Sequence, residues 1–233
     1  MKYRVSNICK SYGDLKVLNN VTIDFPENKT TCILGPSGCG KSTLLNIIAG
    51  ILDKDSGEIM GFGDETISFV FQEDRLIEWK NVRDNLRLVL KGKMDKKTIE
   101  ATIDKYLESV NLKEYKNYYP RDLSGGMKQR ISILRAFIYP SKVLIMDEPF
   151  KSLDINNKRI VMDFLKRLKA MEKRTCVLVT HDVEEAIALA DRIVILSDKP
   201  SKVKKAMDNL YVYNQSKENE IYMKNEIESV LMD

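Results

Sequence analysis

The stretch Gly35-Pro-Ser-Gly-Cys-Gly-Lys41-Ser42 decides the fold of this chain. It fits the pattern G-x-x-x-x-G-K-[ST], with the apolar run Thr31-Cys-Ile-Leu34 before it and a helix-like segment, 43–49, after it. Glycines let such a loop wrap around a phosphate chain, and the N–H groups at the start of the helix face the negative charge. The pattern predicts a phosphate-binding loop in which Lys41 reaches the β- and γ-phosphates and Ser42 binds Mg²⁺. The predicted nucleotide contacts are Gly35, Pro36, Ser37, Gly38, Cys39, Gly40, Lys41, Ser42 and Thr43.

An acidic pair ends the apolar run Val143-Leu-Ile-Met-Asp147-Glu148. Asp147 is predicted to hold Mg²⁺ through its water shell, and Glu148 to polarise the attacking water as a general base. An acidic pair that only caps a strand, or a glycine-rich turn that binds nothing, is the weaker interpretation because both motifs stand in one chain. Together they predict a site that cleaves a phosphate bond.

The arrangement of apolar residues predicts an α/β fold. The segments 3–5, 8–11 and 17–25 are predicted to be antiparallel strands around a Gly13-Asp14 turn, while strand–helix alternation from Thr31, and again after Tyr139, predicts a mainly parallel sheet. Between them, 81–110 carries two helical stripes, with Asn81 and Asp95 as N-caps. We predict one domain over 1–233: a nucleotide-binding core with its antiparallel part in 1–72 and 120–200, a helical subdomain in 73–119, and a tail with a short amphipathic helix in 201–233.

Composition excludes several classes of protein. The 38 Lys and Arg against 34 Asp and Glu leave a net charge of +4, too little to indicate a nucleic-acid partner. Apolar runs such as 143–146 are far shorter than the ~18 residues of a membrane-spanning helix, and residues 1–13 lack a signal peptide's apolar stretch. The four cysteines form no Cys-x-x-Cys pair and His181 stands alone, so disulfide and zinc scaffolds are disfavoured. We therefore expect a cytoplasmic protein.

Leu123-Ser-Gly-Gly-Met-Lys-Gln-Arg130 resembles the signature of ATP-binding-cassette (ABC) ATPases. The resemblance extends over nearly the whole chain and keeps the family's order of motifs. It implies a P-loop NTPase fold, with ATP and Mg²⁺ as the bound groups. The further matching positions are Tyr12, Gln72 in Phe69-Val-Phe-Gln72, Asp154 in Ser152-Leu-Asp154, and His181 after the strand 176–180.

The resemblance also implies roles for these residues. Tyr12 would stack on adenine, although a simple turn tyrosine remains the alternative. Gln72 would contact Mg²⁺ or the attacking water, and His181 the γ-phosphate. The helix start Ser124-Gly125-Gly126 favours an anion, which in the family is the γ-phosphate held by the opposite subunit. Asp154 would cross that same interface.

Two residues and one stretch of the chain lead to further local predictions. Cys39 lies near a helix N-terminus and Lys41, where a thiol pKa is lowered, so we expect a thiol that is readily alkylated but not catalytic. Lys151 replaces what is commonly glycine in the family, so a positive φ there would strain the backbone. The stretch 56–71 is also shorter than the family's usual strand–turn–strand, which predicts that this part is trimmed.

Phe71-Gln-Glu-Asp-Arg-Leu-Ile-Glu-Trp79, Asn81-Val-Arg-Asp-Asn-Leu86 and Ile195-Leu-Ser-Asp-Lys-Pro-Ser201 resemble ATPases of the nitrate, sulfonate and taurine importers. This implies an ATP-hydrolysing subunit that powers import of a small anionic solute such as a sulfonate or nitrate. It would pair with a second copy or another ABC ATPase at the inner face of the membrane. There it would bind transmembrane permease subunits and, through them, a substrate-binding protein.

Other functions remain as alternatives. A soluble accessory ABC ATPase, for example in metal-cluster assembly, or an exporter's ATPase would keep every nucleotide residue, so only the segment 72–79 argues against them. A DNA-repair ATPase would carry a long coiled coil between Gly40 and Ser124, which this chain lacks room for. A translation factor would need two cassettes. A binding module without activity is disfavoured by Glu148 and His181.

Overall fold

The computed structural model describes residues 2–232, which divide into two compact units. Unit 1 comprises 2–67, 142–148 and 173–232, and unit 2 comprises 68–141 and 149–172. The elements in chain order are β1 (Tyr3–Tyr12), β2 (Leu15–Phe25), β3 (Thr30–Leu34), α1 (Lys41–Ile48), β4 (Ser56–Met60), β5 (Ile67–Val70), α2 (Val82–Leu90), α3 (Lys96–Ser109), α4 (Gly125–Ile138), β6 (Val143–Asp147), α5 (Ile155–Met171), β7 (Thr175–Thr180), α6 (Val183–Leu189), β8 (Arg192–Leu196), β9 (Val203–Asp208), α7 (Leu210–Tyr213) and α8 (Lys217–Met232).

Five strands of unit 1 form a sheet in the order β6-β7-β3-β8-β9. The first four run parallel, and β9 is antiparallel to β8. Every residue of β3 and β7 is buried, as expected of central strands covered on both faces. The predicted mainly parallel sheet is therefore confirmed.

A second, antiparallel sheet of unit 1 has the order β2-β1-β4. The predicted turn lies at Gly13, whose φ is 57°, between the paired residues Tyr12 and Leu15. Where we expected two short strands before this turn, β1 is one strand whose register shifts past Val5 and Ile8. The stretch 56–71, which we expected to be trimmed, contains both strands, β4 and β5. Strand β5 begins in unit 1 and continues in unit 2.

Unit 2 is mainly helical, and the two predicted N-caps of its first helices are confirmed. Asn81 Oδ1 accepts the Asp84 N–H at 2.8 Å, and Asp95 Oδ1 accepts those of Lys97 and Thr98 at 2.9 and 3.0 Å. Such side chains satisfy N–H groups that a helix start leaves unpaired. Apolar residues of α2 to α5 form the buried interior, among them Leu86, Ile103, Leu107, Ile131 and Leu165.

The C-terminal part returns to unit 1. Helix α8, the amphipathic helix predicted in the tail, buries Met223 and Ile227 and packs against α6. Among residues 2–232, no helix has both the length and the apolar character to cross a bilayer. The α/β class with a mainly parallel sheet, an antiparallel sheet and helices is confirmed, whereas the subdivision at 73–119 and 201–233 stays a prediction.

Candidate nucleotide site

The phosphate loop connects β3 to α1 in unit 1, where the motif predicted it. Gly38 and Gly40 have φ values of 79° and 110°, in the region that favours glycine. A Cβ at Gly40 would also lie 2.7 Å from Val17 Cγ1, so the loop packs too closely on β2 for a side chain there. The loop is thereby held with the N-terminus of α1 behind it, the arrangement that suits a phosphate group.

Lys41 is buried at the first position of α1. Its Nζ donates to the carbonyl oxygens of Gly35 at 2.8 Å and Pro36 at 2.7 Å. The loop's own backbone thus satisfies a buried ammonium that would otherwise be costly. A phosphate oxygen replacing either carbonyl would gain a charge-assisted hydrogen bond.

Ser42 and Asp147 are the predicted Mg²⁺ ligands of unit 1. Ser42 Oγ donates to Asp147 Oδ1 at 3.1 Å, although the two residues come from α1 and the end of β6. A hydroxyl and a carboxylate are the hard oxygen donors that Mg²⁺ binds beside phosphate and water. The chemistry of this donor pair, next to the phosphate loop, therefore fits Mg²⁺.

Glu148 has φ 43°, an uncommon conformation for a residue with a side chain. Its N–H donates to Val179 O at 2.9 Å, which fixes this backbone against β7. Its Oε2 lies 3.4 Å from Nδ1 of His181, which directly follows β7. The carboxylate is mostly buried and the imidazole half-exposed, so the predicted base and the predicted phosphate contact lie together.

A cavity of about 170 Å³ is lined by residues of the phosphate loop and α1 and by Glu148: Gly38, Gly40, Lys41, Ser42, Thr43 and Glu148.

Cys39 of the phosphate loop does not line this cavity. Its side chain is 1% exposed, and burial raises the pKa of the thiol, although nearby Lys41 lowers it in part. The expectation of a lowered pKa was wrong, because desolvation of a buried thiolate outweighs the helix start and the lysine, while the expected alkylation stays a prediction.

Tyr12, the predicted adenine platform, ends β1 and is half-exposed. Lys10 Nζ lies 5.7 Å from the centroid of its ring, so one face already meets a cation. Stacking on adenine stays a prediction.

The signature segment begins α4 in unit 2. Ser124 is the N-cap, and its Oγ accepts the Met127 N–H at 3.3 Å. Ser124 and Gly125 are exposed, and nothing lies within 4 Å of where a Gly125 Cβ would stand. At Gly126 a Cβ would lie 2.6 Å from Asn157 Oδ1, so glycine is needed there for close packing on α5. The anion-favouring helix start is confirmed as a structure, and its ligand stays a prediction.

Asp154 and Gln72 also belong to unit 2. Asp154 caps α5 by accepting the N–H groups of Asn156 and Asn157, at 3.0 and 2.9 Å, and these bonds lower the pKa of its carboxyl. Gln72 is exposed, two residues after β5. Near the acidic pair, the residue with a positive φ is Glu148, whereas the φ of Lys151 is not positive. The backbone strain considered for Lys151 is therefore absent.

Residues 18–151 match the family described as ABC transporter. The chain belongs to this family. It is 38% identical over 219 residues to the aliphatic sulfonates import ATP-binding protein SsuB of Bacillus cereus, covering 91% of this chain and 86% of that protein. It is 38% identical over 211 residues to the sulfate/thiosulfate import ATP-binding protein CysA of Escherichia coli, covering 84% and 58%. A solved dimeric ATP-binding cassette in a post-hydrolysis state with ADP and phosphate matches at TM-score 0.75 and 29% identity, covering 88% and 98%.

These likenesses confirm the predicted ABC family, its P-loop fold, and an ATPase that uses ATP and Mg²⁺. The roles of single residues stay predictions, because a likeness along the whole chain tests none of them separately.

The ABC motifs missed two polar residues that shape unit 2. Asn85 is fully buried in α2: its Oδ1 accepts the Ile77 N–H at 2.8 Å, and its Nδ2 donates to the carbonyls of Ile77, Lys80 and Asn81. Arg135, on the signature helix, donates to the carbonyls of Asp74 and Arg75 at 2.9 and 2.8 Å. Neither lies at a nucleotide-binding motif position, and the only sequence signal is a polar residue beside the apolar stripe of a helix.

Proposed function

We propose that this ABC ATPase is the ATP-hydrolysing subunit of an importer for a small anionic solute such as a sulfonate or nitrate. The observation that carries the ATPase part is the grouping of Lys41, Ser42, Asp147, Glu148 and His181 in one unit. The importer part is supported by the names of the relatives above, both ATP-binding proteins of import systems.

The residues of unit 1 suit hydrolysis of the terminal phosphate. Lys41, already oriented by two carbonyls, would exchange one of them for a phosphate oxygen and stabilise negative charge there. Glu148 would accept a proton from the attacking water, and His181, 3.4 Å away, would hold the carboxylate and contact the phosphate. Mg²⁺, when held by Ser42 and Asp147, supplies charge neutralisation on the phosphates. Gln72 is proposed as a further contact of the metal or water.

Pairing of two cassettes is the proposed active state. The exposed N-cap Ser124 and the open space at Gly125 leave a helix start that favours an anion. A second cassette related by two-fold symmetry would supply that anion as its bound γ-phosphate, and each cassette would complete the other's site. Asp154 would cross the interface. Hydrolysis would break the bond between the β- and γ-phosphates, and release of inorganic phosphate would then remove the charge that joins the halves and let them separate.

The proposed permease contact lies at the segment 74–80 of unit 2. Trp79 is 79% exposed there, so it is not a core residue of the described chain. Arg135 donates hydrogen bonds to backbone carbonyls at the start of the segment, and Asn85 bonds to the backbone toward its end. These bonds hold the backbone that carries the Trp79 indole. A large exposed aromatic on a fixed backbone is typical of an interface anchor. We propose that it binds a cytoplasmic part of a transmembrane permease, which would place the protein at the inner face of the membrane.

The test is co-purification from the native cells with tagged wild-type protein, Trp79→Ala and Tyr222→Ala. Tyr222 is a matched control, because it is an exposed aromatic on α8 in unit 1. Wild type and Tyr222→Ala should retain a membrane protein, while Trp79→Ala loses it and keeps its ATP affinity. If wild type retains no membrane protein, the accessory ATPase is favoured instead.

The solute is tested by uptake. Cells lacking this chain should lose uptake of a labelled alkanesulfonate or of nitrate, and Lys41→Ala should fail to restore it. Normal uptake of both solutes without the chain would contradict the anionic importer. The substrate-binding protein and permease would select the solute, so the residues of this chain do not specify it.

A further inference from the structure

Arg130 of α4 has no partner for its charge. Its guanidinium makes no hydrogen bond and no ion pair with any residue between 2 and 232, and its Nε is fully buried. Burial lowers the pKa of this guanidinium, and the neighbouring Tyr115 phenol opposes that effect only in part. A buried N–H group without a hydrogen-bond acceptor costs free energy, so native structures rarely leave one unless a ligand or water satisfies it.

A cavity of about 190 Å³ in unit 2 adjoins Arg130. Its charged residues are Arg130 and two exposed residues of α5, Arg167 and Asp163, which form no ion pair with residues 2–232. The charged groups thus leave an excess of one positive charge. The remaining lining residues are Val110, Asn111, Ile160 and Phe164.

The lining selects the class of ligand. Two guanidinium groups offer planar donors that match oxyanions, and the Asn111 amide could donate a further hydrogen bond. The volume equals about six waters at ~30 Å³ each, and it lies below the ~300 Å³ at which sites for drug-sized ligands begin. A nucleotide is therefore too large, whereas a small tetrahedral oxyanion with a few waters fits.

We propose that this cavity binds a small tetrahedral oxyanion, such as phosphate or a sulfonate group, between Arg130 and Arg167. The site belongs to unit 2, whereas the phosphate loop belongs to unit 1. It joins the signature helix α4 to α5, because Arg130 lies on α4 and Arg167 on α5. A bound anion offsets the excess positive charge and links these two helices.

The test follows the Arg130 Nε–H resonance in ¹⁵N NMR spectra of the full chain, identified as the arginine signal absent from Arg130→Gln. Saturating ADP and Mg²⁺ keep the phosphate loop filled. Titration with inorganic phosphate should shift the signal along a saturating curve. Arg159 is the matched control, because it is an exposed arginine of α5 outside the cavity, and its signal should follow only bulk salt.

Variants of the cavity move the affinity in opposite directions. Arg167→Gln should weaken phosphate binding about 10-fold, the loss expected for one hydrogen bond to a charged group. Asp163→Asn should tighten it about 3-fold by removing a negative charge from the wall. Arg130→Lys keeps the charge and should retain saturable binding, read from the remaining signals of the cavity, even if Arg130→Gln fails to fold.

Separate titrations with phosphate and with methanesulfonate distinguish the two sources of the anion. Tighter binding of phosphate would assign the site to a product of ATP hydrolysis, and tighter binding of methanesulfonate to a sulfonate solute. Three results would overturn the proposal: no saturable shift with either anion, the same shift at Arg159, or unchanged affinity in both Arg167→Gln and Asp163→Asn. The Arg130 signal could also shift on the Asp163→Asn substitution and with neither anion. That result would identify Asp163 as the partner of Arg130 and would likewise overturn the proposal.

Discussion

The phosphate-loop region of unit 1 and the signature region of unit 2 differ in where their functional groups find partners. In unit 1, Lys41 is buried on two backbone carbonyls, and the Glu148 backbone is fixed by Val179. In unit 2, Ser124 and Trp79 are exposed. Paired, buried groups are ready to exchange one partner for a substrate, whereas exposed ones gain partners only from another molecule. We therefore expect mutations in the first region to affect the reaction, and mutations in the second to affect assembly.

The largest effect is expected for Lys41→Ala. Loss of the ammonium would remove the proposed phosphate contact and its stabilisation of the transition state, so ATP turnover should fall ~10³-fold or more. Phosphate release from the purified chain measures it. Lys54→Ala is the control, since Lys54 is an exposed lysine of the same unit. Undiminished turnover in Lys41→Ala would contradict the expectation that mutations in the phosphate-loop region affect the reaction.

Glu148→Gln tests both regions at once. The amide cannot accept the proton of the attacking water, so turnover should fall ~10²-fold or more while ATP binding persists. Uncleaved ATP should then hold two chains together through the exposed signature segment. Size-exclusion chromatography with light scattering detects this dimer. A Glu148→Gln chain that stays monomeric at saturating ATP would assign dimerisation to the membrane partner, or remove the role of Ser124 across the interface.

Much of this architecture could be predicted because local patterns specify it. Buried strands read as continuous apolar runs, the phosphate loop combines a strand, glycines and a helix, and Asn81 and Asp95 stand three residues before N–H groups that they cap. Local sequence carries each of these signals.

The features that the sequence analysis predicted wrongly or missed depend on tertiary packing. For Cys39, sequence shows the helix start and the lysine that lower a thiol pKa but not the packing that raises it. The interactions of Asn85 with Ile77 and of Arg135 with Asp74 likewise depend on tertiary packing. Contacts between residues 8 and 61 positions apart leave no periodic pattern in the sequence.

A smaller effect, on stability, is expected for Asn85→Ala. The substitution leaves the Ile77 N–H and several carbonyls of the segment 77–81 without their buried partner. We expect a loss of about 2–4 kcal/mol in the free energy of unfolding, measured by urea denaturation. Asn117→Ala, at an exposed loop position, should change it by less than ~0.5 kcal/mol. Equal stability of the two variants would show that the segment 74–80 needs no buried support.

The smallest effect concerns the reactivity of Cys39, which tests how closed the phosphate loop is. The thiolate is the reactive form, and a raised pKa lowers its fraction at neutral pH. Alkylation of Cys39 by N-ethylmaleimide at pH 7.5 should therefore be ~10-fold slower than that of the less buried Cys9. Because the pKa is raised, the rate should keep increasing with pH beyond the ordinary thiol range, near 8.5.

Peptide mass spectrometry separates the two cysteines in one sample, so Cys9 is an internal control. Val17→Ala should speed the labelling of Cys39, because Val17 packs closely against Gly40 of the loop, while leaving Cys9 unchanged. If Cys39 reacts as fast as Cys9 in the wild type, the loop opens readily in solution. The functional groups of unit 1 would then be no more enclosed than those of the signature region, and the contrast between the two regions would hold only for the closed loop.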